Sequence, residues 1–160
     1  MAQITIEYMI MIPLLIMQIL LFPYVAGLIM NGWVDSRRTL VLQETASNLG
    51  SSIQQLYSAL NHATISTGNV TNTLQLPMFI EDYAYSGTGA LRAASDPALY
   101  STKILDITLS LRGTNIASTT SITLGSNVNW GSHSTLYSNS TDAGILGEKL
   151  ANGTILLSFI

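Results

Sequence analysis

The stretch YMIMIPLLIMQILLFPYVAGLIMNGWV, residues 8–34, contains no Asp, Glu, Lys or Arg and consists mostly of Ile, Leu, Met, Val, Phe, Tyr and Ala. A helix needs about 20 predominantly apolar residues to cross a bilayer, so this segment is long enough to span one. A secretory h-region is shorter and follows a basic n-region, whereas no Lys or Arg precedes Arg37. The segment is therefore expected to stay with the protein. Pro13 and Pro23 lie inside it. Each removes a backbone donor and presses on the carbonyl four residues earlier, which predicts kinks whose freed carbonyls need partners from neighbouring helices.

Beyond this segment the pattern changes. Leu42, Ala46, Leu49, Ile53, Leu56, Leu60 and Ala63 recur at alternating spacings of four and three, the stripe of an amphipathic helix. Gln43, Glu44, Ser47, Asn48, Ser51, Ser52, Gln54, Gln55 and Ser58 form its polar back. A stripe of about three heptads favours packing on the chain's own C-terminal part over a free-standing coiled coil. Gly68, within Thr64 to Asn72, is the expected stop.

The remainder reads as β-structure. In Lys103 to Arg112, Leu105, Ile107, Leu109 and Leu111 alternate with Asp106, Thr108 and Ser110, the period of a half-buried strand. Weaker strands are expected at Leu74 to Ile80, Ser121 to Leu124, His133 to Tyr137 and Thr154 to Ile160. Gly87, Gly89, Gly113, Gly125, Gly131, Gly144 and Gly153 are read as punctuation between strands, and Ala90 to Tyr100 as a loop or short helical turn. The expected fold class is α+β: a long N-terminal hydrophobic α-helix followed by a small antiparallel β-sandwich or open-barrel head. The expected division is 1–66 for the helix, with 1–34 hydrophobic and 35–66 amphipathic and packed on the head, and 67–160 for a Ser/Thr-rich β-domain.

Composition narrows the function. Charged side chains are 9% of the 160 residues, against roughly 25% in ordinary soluble domains. The mean hydropathy is +0.37, so apolar residues are concentrated. The absence of cysteine excludes a disulfide scaffold, a thiolate zinc site and a cysteine nucleophile. A net charge of -3 provides no footprint for a nucleic-acid backbone. Arg37 and Arg38 just past the apolar segment would place the β-domain inside the cell by the positive-inside rule. Three Asn-x-Ser/Thr sequons, at Asn69, Asn139 and Asn152, point outward instead, as N-glycosylation candidates on a hydroxyl-rich surface. A short basic leader ahead of residue 1, removed on maturation, would reconcile the two and is expected.

The N-terminal run Gln3-Ile4-Thr5-Ile6-Glu7-Tyr8 resembles the archaeal class III signal-peptide motif, Gln-x-Ser-x-Glu-Tyr/Phe at the head of a hydrophobic helix, with Thr5 in the usual place of Ser. The motif belongs to archaeal type IV pilin-like proteins, and the resemblance covers about the first 35 residues; beyond them only the architecture matches. It implies a helical homopolymer on the cell surface, with Gln3, Thr5, Glu7 and Tyr8 in the assembly motif. Leu14, Leu15, Ile19, Leu20, Phe22 and Leu28 would pack in the filament core. It also implies processing by a prepilin peptidase, a pilus assembly ATPase and membrane platform, residence in the membrane before assembly, and adhesion through a head carrying covalent N-linked glycans. In related sequences the cut often falls just before the Gln, which here would make Glu7 the fifth residue. Glu7 is costly to bury unpaired, and the α-amino group of a neighbouring subunit is its expected partner.

Catalytic signals are weak. His62 and His133 are the only histidines, and no P-loop, nucleophile elbow, dinucleotide fingerprint or His-x-x-x-His occurs. Neither an enzyme nor a bound cofactor is expected. Glu81, Asp82 and Asp96 match no calcium-loop spacing and read as a solvated acidic turn. Trp33 reads as an interfacial or interhelical residue; Trp130, Tyr83 and Tyr85 fit core or surface. The alternatives to a pilin are an archaellin, whose helix and head would look alike, and a monomeric membrane-anchored extracellular binding protein.

Overall fold

The computed structural model describes residues 2–73, 76–94, 102–131 and 134–160, with the backbone alone for 2–7. The fold is α+β: a helix α1 (Ala2–Leu60) precedes β1 (Gly68–Thr73), β2 (Tyr85–Ala93), β3 (Lys103–Leu111), β4 (Ala117–Leu124), β5 (Val128–Trp130), β6 (Thr135–Tyr137), β7 (Gly144–Lys149) and β8 (Ile155–Phe159). The strands form two four-stranded sheets, ordered β1-β7-β8-β5 and β4-β3-β2-β6. Packing divides the chain between Arg37 and Arg38, so the amphipathic part of α1 belongs to the head.

Within the head, Leu42, Ala46, Leu49, Ile53, Leu56 and Leu60 are all buried, as their spacing predicts. They join one core with Leu105, Ile107, Leu109 and Leu111 of β3 and with Ile145, Ile155, Leu157 and Phe159 of the other sheet. The helix touches both sheets through glycines. A methyl group on Gly50 would lie 3.0 Å from Ile122, and one on Gly147 of β7 would lie 2.6 Å from Leu60. Backbone-to-side-chain approach this close leaves no room for larger residues.

Several expectations are corrected. α1 ends at Leu60, before Gly68, and Ala63 is exposed beyond it. The Asn61 amide makes the last helical bond, to the Tyr57 carbonyl at 2.8 Å; the following Thr64-Ile65-Ser66-Thr67 are poor helix formers. Gly68 instead opens β1, which lies upstream of the expected strand at Leu74 to Ile80; residues 76–79 are irregular, and Ile80 makes only an isolated bridge to Tyr83. Gly87 and Gly89 sit inside β2, and Gly144 begins β7. A side chain at Gly89 would run into the Trp130 indole, which packs edge-on against Phe159 at 4.9 Å between ring centroids. Ala90 to Ala93 complete β2, whereas 95–101, including Asp96, lie outside the described residues. β5 and β8 pair in parallel, Val128 opposite Ile155, in an otherwise antiparallel fold. Gly113 and Gly153 do mark turns, with φ of 80° and 81°.

The outer face of the second sheet is hydroxylated. Register aligns Thr119, Thr108, Thr88 and Thr135 across all four strands, and the hydroxyls of Thr108 and Thr119 bond at 2.9 Å. Beside this row, hydrogen bonds from Arg92 and then Ser121 hold the Asp106 carboxyl below the usual carboxylate range.

At the end where α1 stops, Asn127 ties three segments together. It accepts from the Tyr57 hydroxyl at 3.0 Å and donates to Asn61 Oδ1 at 3.0 Å and to the Gly153 carbonyl at 3.1 Å. At the other end of the helix's buried part, Arg38 donates from Nε to Glu81 Oε2 at 2.8 Å, with its guanidinium 4.8 Å from the Tyr83 ring centroid. Glu81 is therefore ion-paired, which amends the reading of a solvated acidic turn at that residue; Asp82 beside it is exposed.

Glu81 and Asp82 both adopt positive φ, 45° and 69°. Ile80 and Tyr83 exchange backbone hydrogen bonds of 2.9 and 3.0 Å across them, closing a two-residue turn. Such turns favour Asn-Gly or Asp-Gly, because a side chain in the left-handed region costs of order 1–3 kcal/mol. Asp82→Gly is expected to stabilise the head by about 0.5–1 kcal/mol, the relief being partly offset by glycine's greater chain entropy; denaturant unfolding of the two proteins measures it.

Candidate assembly surface

From Tyr8 to Trp33 every side chain of α1 is exposed, and Val34 is half-exposed. Leu14, Leu15, Ile19, Leu20, Phe22 and Leu28 are among them, from 55% for Leu14 to 78% for Phe22. Tyr8 and Trp33 are also exposed. The backbone of Gln3, Thr5 and Glu7 is helical, and their side chains lie outside the description. The segment meets the length and hydropathy criteria for a membrane-crossing helix, the one such helix among the described residues.

The helix surface is apolar all round, and its polar groups are few. Gln18 and Asn31 interrupt it, and an open depression lined by Leu15, Gln18, Ile19, Phe22 and Pro23 lies beside the second proline. α1 runs unbroken through both prolines. Pro13 and Pro23 cannot donate to the carbonyls of Met9 and Ile19, so each leaves an acceptor for another group. What the arrangement offers is packing area and a few backbone acceptors, not reaction chemistry.

A second exposed apolar feature escaped the sequence reading. Met78 and Phe79 are each 54% exposed on a segment whose backbone is held by the head. The Tyr85 hydroxyl donates to the Pro77 carbonyl at 2.8 Å. The Ser138 hydroxyl donates to the Met78 carbonyl at 2.8 Å and accepts from the Tyr85 amide at 2.9 Å. The run from Leu76 to Ile80 reads as a buried strand because it is wholly apolar; in the fold its backbone carbonyls at 77 and 78 are bonded by Tyr85 and Ser138 while Met78 and Phe79 stay exposed.

The sequon asparagines are all exposed: Asn69 on β1, Asn139 after β6, and Asn152 in the turn between β7 and β8. The Asn152 side-chain oxygen accepts from the Thr154 amide at 3.0 Å, an Asx-turn. His62 bonds Thr64 within its own loop, at 2.9 Å from Nδ1 to Oγ1; His133 lies outside the described residues. No group of three or more His, Cys, Asp or Glu gathers in metal-binding range among the described residues. Trp130 and Tyr85 serve the core, and Tyr83 receives Arg38.

Comparison with family profiles, curated proteins and solved structures yields no match to the chain.

Tyr85 links the held segment to the core, and its burial pushes the phenol up to about 12. Unfolding returns it to its ordinary value of about 10, so the unfolded chain releases this proton first. The stability it contributes is fully present below pH 10 and is lost as pH rises from about 10 through about 12. Tyr85→Phe is expected to remove that alkaline loss, and to lower stability at neutral pH by about 0.5–1.5 kcal/mol through the missing bond to Pro77. Denaturant unfolding of both proteins at pH 8 and pH 11.5 checks both effects.

Proposed function

We propose that the chain is the structural subunit of an extracellular helical filament of the archaeal type IV pilus kind, polymerising through its apolar helix and used for surface adhesion. The observation that carries this reading is the contrast within α1. Leu42 to Leu60 bury a stripe in the head, whereas Tyr8 to Trp33 are exposed on every side. Large apolar side chains left in water forgo about 1.5–3 kcal/mol each, so this surface requires lipid or other helices around it.

Lipid serves before assembly. Once out of the membrane, only bundling with further copies covers the whole circumference of the segment. The contact is then heterologous, one face of a subunit against a different face of the next, and a rotation that does not close generates a helical fibre. The motif Gln3 to Tyr8 adds support through its resemblance to pilin signal sequences. On this reading Glu7 meets the α-amino group of a neighbouring subunit, a prepilin peptidase matures the chain, and an assembly ATPase with its membrane platform drives extrusion. Exposed sequons at Asn69, Asn139 and Asn152 suit a head bearing N-linked glycans. The filament needs no cofactor, and the role is structural, not catalytic.

Electron microscopy of material sheared from source cells, with intact-mass measurement, tests the reading. Thin filaments of this subunit, heavier than the 17.2 kDa polypeptide, are the expected result. Leu15→Asp or Leu20→Asp is expected to abolish filaments while the head keeps its fold, because an unpaired charge in a dry helical core is heavily penalised. Removing residues 1–34 should leave a soluble monomeric head. Wild-type protein found only as detergent-extracted monomers would replace the filament with a membrane-anchored binding protein.

A further inference from the structure

In the apolar part of α1 a donor and an acceptor without partners stand on adjacent residues. Pro23 has no N–H to give the Ile19 carbonyl, and the residue before Ile19 is Gln18, which with Asn31 makes up the carboxamides between Tyr8 and Val34. Gln18 and Ile19 both line the open depression beside Pro23. The Gln18 side chain is exposed, and its carboxamide has no hydrogen-bond partner among the described residues. Pro13 has no such neighbour, because no Asn or Gln lies between Tyr8 and Met17.

One helix cannot close this pair on itself. A helical side chain leans toward the N-terminus of its helix, whereas the helical carbonyls point toward the C-terminus, so the Gln18 carboxamide and the Ile19 carbonyl diverge. In a dry assembly both still need partners, because a buried amide or carbonyl left unmet is strongly unfavourable. Lipid acyl chains offer neither donor nor acceptor; a second copy of the same helix offers both.

We propose that Gln18 of one copy donates a hydrogen bond from Nε2 to the Ile19 carbonyl of a neighbouring copy, and that this bond sets the register of the packed helices. This rests on the filament reading above. Because donor and acceptor diverge along the helix axis, the two copies are displaced along it, and a copy that donates to one neighbour accepts from another. The contact is therefore heterologous and repeats from copy to copy. A lone carboxamide in an otherwise apolar helix interface has this effect by general rule: it matches one register and leaves a polar group stranded in the others.

Electron cryo-microscopy of wild-type filaments at side-chain resolution reads the contact directly, with Gln18 Nε2 expected within hydrogen-bonding distance of the Ile19 carbonyl of another copy. Filaments in which Gln18 meets another Gln18, lipid, solvent or a different protein overturn the bond and leave the filament reading standing. Wild-type protein that forms no filaments overturns both. A mutant cycle supplies a second readout. Gln18→Leu is expected to lower the temperature at which filaments dissociate, since the Ile19 carbonyl loses its donor, whereas a side chain that only filled space would be replaced by Leu without loss. Pro23→Ala returns an N–H to that carbonyl, so adding Gln18→Leu to it should cause no further fall. Equal falls in both backgrounds, or none in either, overturn the proposal.

Discussion

The constraint on which the rest depends is the cost of leaving an apolar helix surface in water. An isolated amphipathic helix needs one partner along one stripe; a helix that is apolar all round needs partners on every side. α1 carries both kinds of surface in one element. From Leu42 to Leu60 its partner is the chain's own pair of sheets, and the polar back made by Gln43, Gln54 and Gln55 faces solvent. From Tyr8 to Trp33 the whole circumference is exposed, and no stripe-sized partner suffices.

The head explains how so small a β-domain closes its core. Two four-stranded sheets with strands as short as three residues bury little surface on their own. The helix supplies the missing layer, and glycines let it come close: Gly50 against Ile122, and Gly147 against Leu56 and Leu60. Trp130 fills the space above Gly89 in the same way. Asn127 then ties the helix end to the turn between β7 and β8, bonding the Tyr57 hydroxyl, the Asn61 side chain and the Gly153 carbonyl. The helix is thus part of the core, which is why its buried half shares one cluster with both sheets.

Legibility followed the range of the forces that set each feature. Leu105 to Leu111 could be read because a half-buried strand writes its period into adjacent residues, and the α1 stripe for the same reason. The all-apolar run at 8–34 was equally plain, so the surface proposed for assembly was visible as composition. Strand β2 was hidden because Gly87 and Gly89 look like turn residues; the side chains that occupy their space, Leu109, Leu136 and Trp130, come from elsewhere in the sequence. The parallel pairing of β5 with β8 is likewise a long-range choice that three residues, Val128 to Trp130, cannot announce. Met78 and Phe79 misled in the opposite direction, since local apolar composition says buried and both are exposed on a segment whose carbonyls are bonded by Tyr85 and Ser138.

Arg38 shows how these levels meet. By sequence it was one of a pair marking the end of an apolar segment, a signal about membrane orientation. In the fold it is the ion-pair partner of Glu81 and the cation over Tyr83. A turn with two non-glycine residues at positive φ persists only when its surroundings fix it, and Arg38 is one of those fixtures. It also removes the charge of Glu81 from the neighbourhood of Phe79.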